Sequence, residues 1–286
     1  MPFKKSTISA IIILVSLMTV IGLSGLGSFF GNKQNDSSQS SDNNGPASGP
    51  PRPLSMEKVS LTTKDGVKIV GNLYEVENPL GWLILVHAMP ETKESYQELA
   101  QRFQNVGYES IAIDLRGHGE SNSGPSGYLD FSNAEHQKSI LDLDAAVSGL
   151  IQNRNAVPGK IYFIGASIGA NLVLQFISEH SEFSAEGGSA SGGKKAVLLS
   201  AGLNYRGIKT EPMVKNLKAG QKVLFVSSKD DTNNEEVAQE NQKLYNLLPD
   251  TIKKESEIKI YPSGGHGTDI LKNQPELISL ILEFLK

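Results

Sequence analysis

Apolar residues recur along most of this chain in short, nearly unbroken runs. "GWLILVHA" (81–88), "YESIAIDL" (108–115), "KIYFIGA" (160–166), "KKAVLLSA" (194–201), "QKVLFVSS" (221–228) and "SEIKIYP" (256–262) each read as a strand. The continuous apolar run of "GWLILVHA" marks a strand covered on both faces. "KVSLTT" (58–63) and "VKIVGNLYEV" (67–76) flank "KDG", a turn signal, and predict a β-hairpin. Longer amphipathic stretches fall between the strands: 94–107, 133–152, 168–180, 234–248 and 277–286. Each predicts a helix. Strand–helix alternation implies crossover units and a mainly parallel sheet with helices on both faces. "EGGSASGGKK" (186–195) reads as a surface loop, and no internal repeat is present.

The first 53 residues break this pattern. No charged residue occurs from Ser6 to Asn32, and the apolar run Ile8 to Phe30 exceeds the roughly 20 residues that span a bilayer. Lys4 and Lys5 precede it, which keeps the short N-terminus in the cytoplasm and sends the rest across. A cleaved signal peptide is the rival reading, but its apolar region is typically about 7–15 residues and ends in a small-x-small site. An uncleaved anchor is therefore expected; a cut near Gly22-Leu23-Ser24 or Gly25-Leu26-Gly27 would instead make the protein secreted. Residues 31–53 are dominated by Ser, Asn, Gly and Pro and cannot bury enough apolar surface to order themselves. Such a linker separates its ends by about 25–30 Å. The organisation expected is an anchor or signal segment at 1–30, a linker at 31–53 and one α/β domain at 54–286. The domain would lie outside the cytoplasm, on a single-pass membrane tether.

Charge and cysteine content narrow the chemistry. The formal net charge is −4 and no stripe of Lys and Arg occurs, which argues against a nucleic-acid partner. With no Cys, disulfides, thiolate metal sites and Cys nucleophiles are excluded. No metal-ligand cluster or phosphate loop is present, so no cofactor is expected. The oligomeric state is not readable from these features.

"FIGASIGANL" (163–172) places Ser167 inside G-x-S-x-G, after a buried strand and at the start of a helix. There the motif forms a sharp turn that lifts the Ser hydroxyl above the carboxyl edge of the sheet, and the helix N-terminus favours a developing anion. The same spacing outside that context would be only a tight turn. A Ser nucleophile needs a base, and the base needs an orienting carboxylate, in the chain order Ser, acid, His for this architecture. Five His are present, of which only His180 and His266 follow Ser167. His180 ends the helix that Ser167 opens, about 20 Å away along its axis, and reads as a C-terminal cap. His266 lies in "YPSGGHGTD", after the last strand, and is the expected general base. The acid should follow the preceding strand, where Asp231 is the first choice and Asp230 the alternative; the bland reading makes both of them exposed helix-capping residues.

With these residues placed, 54–286 resembles the α/β-hydrolase superfamily. "LVHAMPE" is similar to its oxyanion loop after the third strand, "IDLRGHGES" to the Gly-rich loop after the fourth, "GASIG" to the nucleophile elbow and "GGHGTD" to the His loop. The resemblance implies an eight-stranded sheet and an oxyanion hole formed by the backbone N–H groups of Met89 and Ile168. Two positions depart from it. Ala88 replaces the usual Gly, which restricts the loop, and Ser228 stands where a Gly usually precedes the acid. His87, His118 and Arg116 read as loop-holding residues more readily than as substrate contacts. Only residues 202–220 separate the sixth strand from the next, too few for a large lid, so the chain resembles the lidless esterases and dienelactone-hydrolase-like proteins. Tyr205 and Tyr128 read equally as acyl-pocket lining and as core. The reading is a membrane-tethered, cofactor-free serine hydrolase of carboxylesterase or lipase type, acting on a small-molecule ester. A catalytically silent binding protein of the same fold, displayed at the cell surface, is the alternative.

Overall fold

The β-branched and aliphatic runs fold as their continuity requires. The structure, a computed structural model, describes residues 55–121, 126–180 and 195–286. The expected membrane segment, the linker and nearly all of the Gly-rich loop at 186–195 lie outside the described residues. Among the described residues no helix is long and apolar enough to cross a membrane.

Eight strands form one sheet: β1 (Met56–Thr62), β2 (Lys68–Tyr74), β3 (Gly81–Val86), β4 (Tyr108–Ile113), β5 (Ile161–Ala166), β6 (Lys195–Leu199), β9 (Lys222–Ser228) and β10 (Glu257–Tyr261). Their order is β1-β2-β4-β3-β5-β6-β9-β10. β1 and β2 pair antiparallel and β2 joins β4 antiparallel; every other pairing is parallel. In β3 alternate residues enter opposite cores: Ile84 and Val86 pack on one face, Leu83 and Leu85 on the other. A strand loaded on both faces cannot shift register by one residue without loss, so continuous apolarity fixes its place. The chain passes from β3 to β4 on one side and then to β5 on the other. That reversal opens a crevice at the carboxyl edge, where open α/β sheets bind ligands.

The helices are α1 (Gln97–Asn105), α2 (Asn133–Gln137), α3 (Ile140–Arg154), α4 (Ile168–Glu179), α5 (Thr210–Lys215), α6 (Val237–Asn246), α7 (Asp250–Lys253), α8 (Asp269–Asn273) and α9 (Glu276–Leu285). The single helix expected over 133–152 is two. Ser132 and Glu135 cap α2 reciprocally, and i→i+3 bonds at Lys138, Ser139, Leu141 and Asp142 tighten the junction with α3. An unbroken helix would set His136 and Asp142, six residues apart, about 120° apart around its axis. The break lets both be buried. The segment 202–220 holds one short helix, α5, as expected, and also a small hairpin that sequence periodicity did not reveal: β7 (Asn204–Tyr205) with β8 (Ile208–Lys209), turned at Arg206 and Gly207, both of positive φ.

Candidate active site

Ser167 joins β5 to α4 with φ 53° and ψ −119°. A non-Gly residue in such a region costs on the order of 1–3 kcal/mol and persists only when its surroundings fix it. They do so here. The Ser167 N–H donates to the Leu199 carbonyl at 2.8 Å, and its own carbonyl accepts from Ala170 at 2.9 Å. The small flanking residues are a steric necessity: a Cβ on Gly165 would run into the Gly169 carbonyl, and one on Gly169 into the carbonyl of Val86. The elbow is thus wedged against the end of β3.

The loops after β9 and β10 meet beside it. Asp231, buried, accepts from His266 Nδ1 at 2.6 Å through Oδ2. Its Oδ1 accepts the backbone N–H groups of Asn233 and Asn234 at 2.9 and 3.0 Å. Gly267, next to His266, lies against Ala166 and Ala88, so the His loop reaches both the elbow and the loop after β3. The adjacent Asp230 does different work. Its Oδ1 accepts from the N–H groups of Gly264 and Gly265 at 2.9 and 3.0 Å, and the Gly265 bond heads the causes that hold its pKa below the usual carboxylate range. Ser228 donates its hydroxyl to the Gly265 carbonyl at 2.5 Å, so the residue that departs from the resembled pattern clamps the His loop. No hydrogen bond joins Ser167 Oγ to His266 Nε2 in this structure; such bonds are often long before substrate binds.

The loop after β3 supplies His87, Ala88 and Met89. Ala88 has no positive φ, so the expected restriction is not encountered. Among the described residues the N–H groups of Met89 and Ile168 find no protein acceptor. His87 Nε2 accepts from the Leu115 N–H at 3.0 Å and its Nδ1 lies 2.8 Å from the Ala88 carbonyl, which fixes a neutral ring with the proton on Nδ1. Burial lowers its pKa further. His118 stacks on Tyr128 with ring centroids 4.0 Å apart, and burial lowers its pKa to about 4. Arg116 is held by Asp142 and Asp65. These three residues tie loops together, and Tyr128 packs on one of them. His180 accepts no role near Ser167; its N–H caps the Phe176 carbonyl at the end of α4.

Two residues were underread in the sequence. The Tyr205 hydroxyl donates to the Ser200 carbonyl at 3.3 Å, one residue beyond the Leu199 carbonyl that receives the Ser167 N–H, and accepts from Asn234 Nδ2 at 3.0 Å. Asn234 gave no signal of its own inside "DDTNNEE", where Asn is an ordinary turn and helix-start residue. No cluster of metal-ligating side chains exists among the described residues. A groove of about 720 Å³ along α6 and β10, lined by Ala238, Gln242, Leu247 and Ile260, contains none of these groups.

Residues 77–201 match the protein family described as serine aminopeptidase, S33. No curated protein matches the chain in sequence. Among solved structures, an esterase of Pyrococcus furiosus is 22% identical, covering 81% of this chain and 90% of its own, with TM-score 0.62. A dienelactone hydrolase of Anabaena variabilis is 16% identical over 81% and 95%, with TM-score 0.60. An acylaminoacyl peptidase of Pyrococcus horikoshii is 15% identical over 81% of this chain and 41% of its own, with TM-score 0.62. The structure has the α/β-hydrolase fold, which these solved structures share. The family matched over 77–201 is one of hydrolases.

Proposed function

We propose that this protein is a serine hydrolase that cleaves a carboxylic ester or similar acyl bond of a small molecule. The observation that carries the reading is the Asp231–His266 hydrogen bond of 2.6 Å beside a Ser held in a strained strand-to-helix turn. Ser167 Oγ attacks the acyl carbon while His266 Nε2 takes its proton, and Asp231 holds the Nδ1–H and stabilises the imidazolium. The N–H groups of Met89 and Ile168 hold the oxyanion, a type of stabilisation worth about 3–4 kcal/mol per donor. Collapse expels the alcohol, protonated by His266, and leaves an acyl-enzyme. Water, deprotonated by the same imidazole, releases the acid and restores Ser167. The structures named as an esterase and a dienelactone hydrolase support a small-molecule substrate, as does the short β6–β9 connection, which offers little cover.

A fluorophosphonate probe tests the reading. Covalent labelling at Ser167 under native conditions is expected; its absence would favour a silent binding protein.

We further propose that Ile8 to Phe30 anchors the domain at the outer face of the membrane, on sequence grounds alone. Full-length protein should pellet with membranes through high-salt washes, and protease added to intact cells should release the domain by cutting within 31–53. A mature N-terminus between Ser24 and Asn32 would make it secreted instead. Protection in intact cells would reverse the orientation.

A further inference from the structure

The proposed reaction needs groups from two loops, and the fold holds those loops in separate frames. Met89 belongs to the loop after β3, which is tied at both ends to the segment after β4. His87 Nε2 accepts the Leu115 N–H at 3.0 Å, and the Lys93 N–H donates to Asp114 Oδ1 at 2.8 Å. His266 belongs to the loop after β10, which is tied the other way. Asp230 accepts the N–H groups of Gly264 and Gly265, Ser228 holds the Gly265 carbonyl, and Ser200 Oγ accepts the Gly267 N–H at 3.0 Å.

One side-chain hydrogen bond joins the two frames. The Thr268 hydroxyl, two residues past His266, donates to the carboxylate of Glu91, two residues past Met89. Its Oγ1 lies 3.0 Å from Oε1 and 2.9 Å from Oε2. Among the described residues no other hydrogen bond links 87–93 to 262–269. Thr268 is fully buried, and its carbonyl accepts the Leu271 N–H at 3.1 Å in the turn that opens α8. The hydroxyl therefore has a fixed base. Glu91 is half-buried and makes no ion pair among the described residues, because the ammonium of Lys93 is taken by Asp114, Glu94 and Glu120. A carboxylate accepting from a hydroxyl makes a charge-assisted bond, stronger than a neutral one. Gly267 also lies against Ala88, and that contact stops the loops from closing further. The Glu91–Thr268 bond stops them from parting.

We propose that Glu91 and Thr268 are positioning residues, which together fix the spacing between the oxyanion donor on the loop after β3 and the imidazole of His266. The inference rests on the hydrolase reading, with Ser167 as nucleophile and the Met89 N–H on the oxyanion. In that reaction the negative charge develops at one loop while the proton moves at the other, so the transition state spans both frames. Misplacement of a reacting group by about 1 Å can cost 10²-fold in rate. A hydrogen bond to a charged group shifts an equilibrium by about ten- to a hundredfold. One such bond can thus hold the loops at the reactive spacing.

The test measures kcat and KM on a simple aryl ester, the rate of fluorophosphonate labelling and the thermal midpoint. It compares the parent protein with Thr268→Val, Thr268→Ser, Glu91→Ala and the double variant Glu91→Ala/Thr268→Val. Thr268→Val keeps the shape of the side chain and removes the donor. It should lower kcat and slow labelling by about ten- to a hundredfold, with KM within about twofold of the parent. Thr268→Ser returns the hydroxyl and should recover most of that loss. Glu91→Ala should fall in the same direction, and the double variant should be no slower than the worse single one, because both changes remove one bond. A lower thermal midpoint in Thr268→Val with kcat unchanged would make the bond merely structural and overturn this inference alone. A change confined to KM would overturn it as well, since Glu91 or Thr268 would then be a substrate contact. So would a loss that Thr268→Ser does not recover. No labelling of the parent protein would overturn the hydrolase reading and this one with it.

Discussion

The two halves of the carboxyl edge carry nearly the same residue types and put them to opposite uses. The loops after β3 and β4 hold His87, Asp114, Arg116 and His118. The loops after β5, β6, β9 and β10 hold Ser167, Asp231 and His266. In the first half the charges are saturated. Asp114 accepts from the Lys93 N–H, from Lys93 Nζ at 2.7 Å and from the Glu120 N–H. Arg116 bridges Asp142 and Asp65. His118 Nε2 is buried without a partner, but a pKa of about 4 makes it a poor proton acceptor. In the second half the imidazole is paired on Nδ1 only, and the Ser beside it is strained. A polar group whose bonding capacity is exhausted is scaffold; one left partly open, on a backbone that costs energy to hold, is where chemistry can occur. The imidazoles of "RGHG" and "GGHG" each pair through Nδ1, but His118 meets a backbone carbonyl and burial lowers its pKa to about 4, whereas His266 meets a carboxylate.

If that contrast is right, the largest effect belongs to the open half. Ser167→Ala should remove about 10⁶-fold in turnover while leaving the melting temperature and circular dichroism of the domain essentially unchanged. Retention of more than a few per cent of activity would make Ser167 a structural turn and dissolve the contrast.

The neighbouring carboxylates test the same idea at one-residue resolution. Asp231→Asn should lower kcat by about 10³–10⁴, because an amide no longer favours the imidazole tautomer with its proton on Nδ1. Asp230→Asn loosens only the Gly264–Gly265 turn and should cost less than tenfold by comparison, read from kcat on one ester. The reverse ranking would transfer the role.

What the sequence made legible follows from the same physics. Strands loaded on both faces announce themselves, because burial demands unbroken apolar runs, and the central strands β3, β5, β6 and β9 fall where such runs occur, whereas the edge strands β1 and β10 alternate and are only partly buried. The β7–β8 hairpin has two residues per strand and no periodicity to read. The break at Lys138 and Ser139 is invisible because the apolar pattern continues across it. Chain order led to Ser167, His266 and the Asp230–Asp231 pair. Which of two adjacent carboxylates meets the imidazole depends on the course of the loop after β9, and the Asn234–Tyr205 link joins segments with no local signal between them.

The saturated half should respond in stability rather than in rate. Arg116→Met leaves the fully buried Asp142 without its cation and Asp65 without its partner, and breaking a buried pair on one side costs about 3–5 kcal/mol. Thermal unfolding should shift down by roughly 10 °C for a domain of this size. Turnover measured well below the new midpoint should stay within about twofold of the parent, since Arg116 touches none of the three residues of the open half. A selective loss of kcat with no loss of stability would move Arg116 across the divide.

Protonation provides a reversible version of that test. His118 has its folded pKa lowered from 6.5 to about 4, so the folded state holds fewer protons than the unfolded chain between those values. The stability it contributes is complete above pH 6.5 and is lost as pH falls toward 4, by up to about 1.4 kcal/mol per pH unit. Asp142 runs the other way. Its folded pKa is raised to about 6, chiefly by burial, so its ionisation subtracts stability as pH rises from 3.8 to 6 and partly offsets the His118 slope. His118→Gln removes the first contribution and leaves the second. Denaturant melts between pH 4 and 6.5 should show stability rising with pH more steeply in the parent than in the variant. Equal slopes would mean that His118 is charged in the folded protein and that the saturated half is less closed than its bonding implies.

The smallest effect is expected at Ala88, where the two halves touch. Its Cβ faces the position a Cβ on Gly267 would occupy, 3.5 Å away, so the loop after β3 and the His loop meet there through one methyl group. The backbone at Ala88 has a negative φ, so a Gly there gains no conformation that Ala lacks in the folded state. It gains freedom only in the unfolded chain. Ala88→Gly should therefore lower stability by about 0.5–1 kcal/mol and change kcat by less than about twofold. Thermal melts and ester turnover on the same preparation check both. A gain in kcat at unchanged stability would show that the missing Gly does restrict the oxyanion loop. The open half would then depend on backbone freedom at its border as well as on the groups it leaves unpaired.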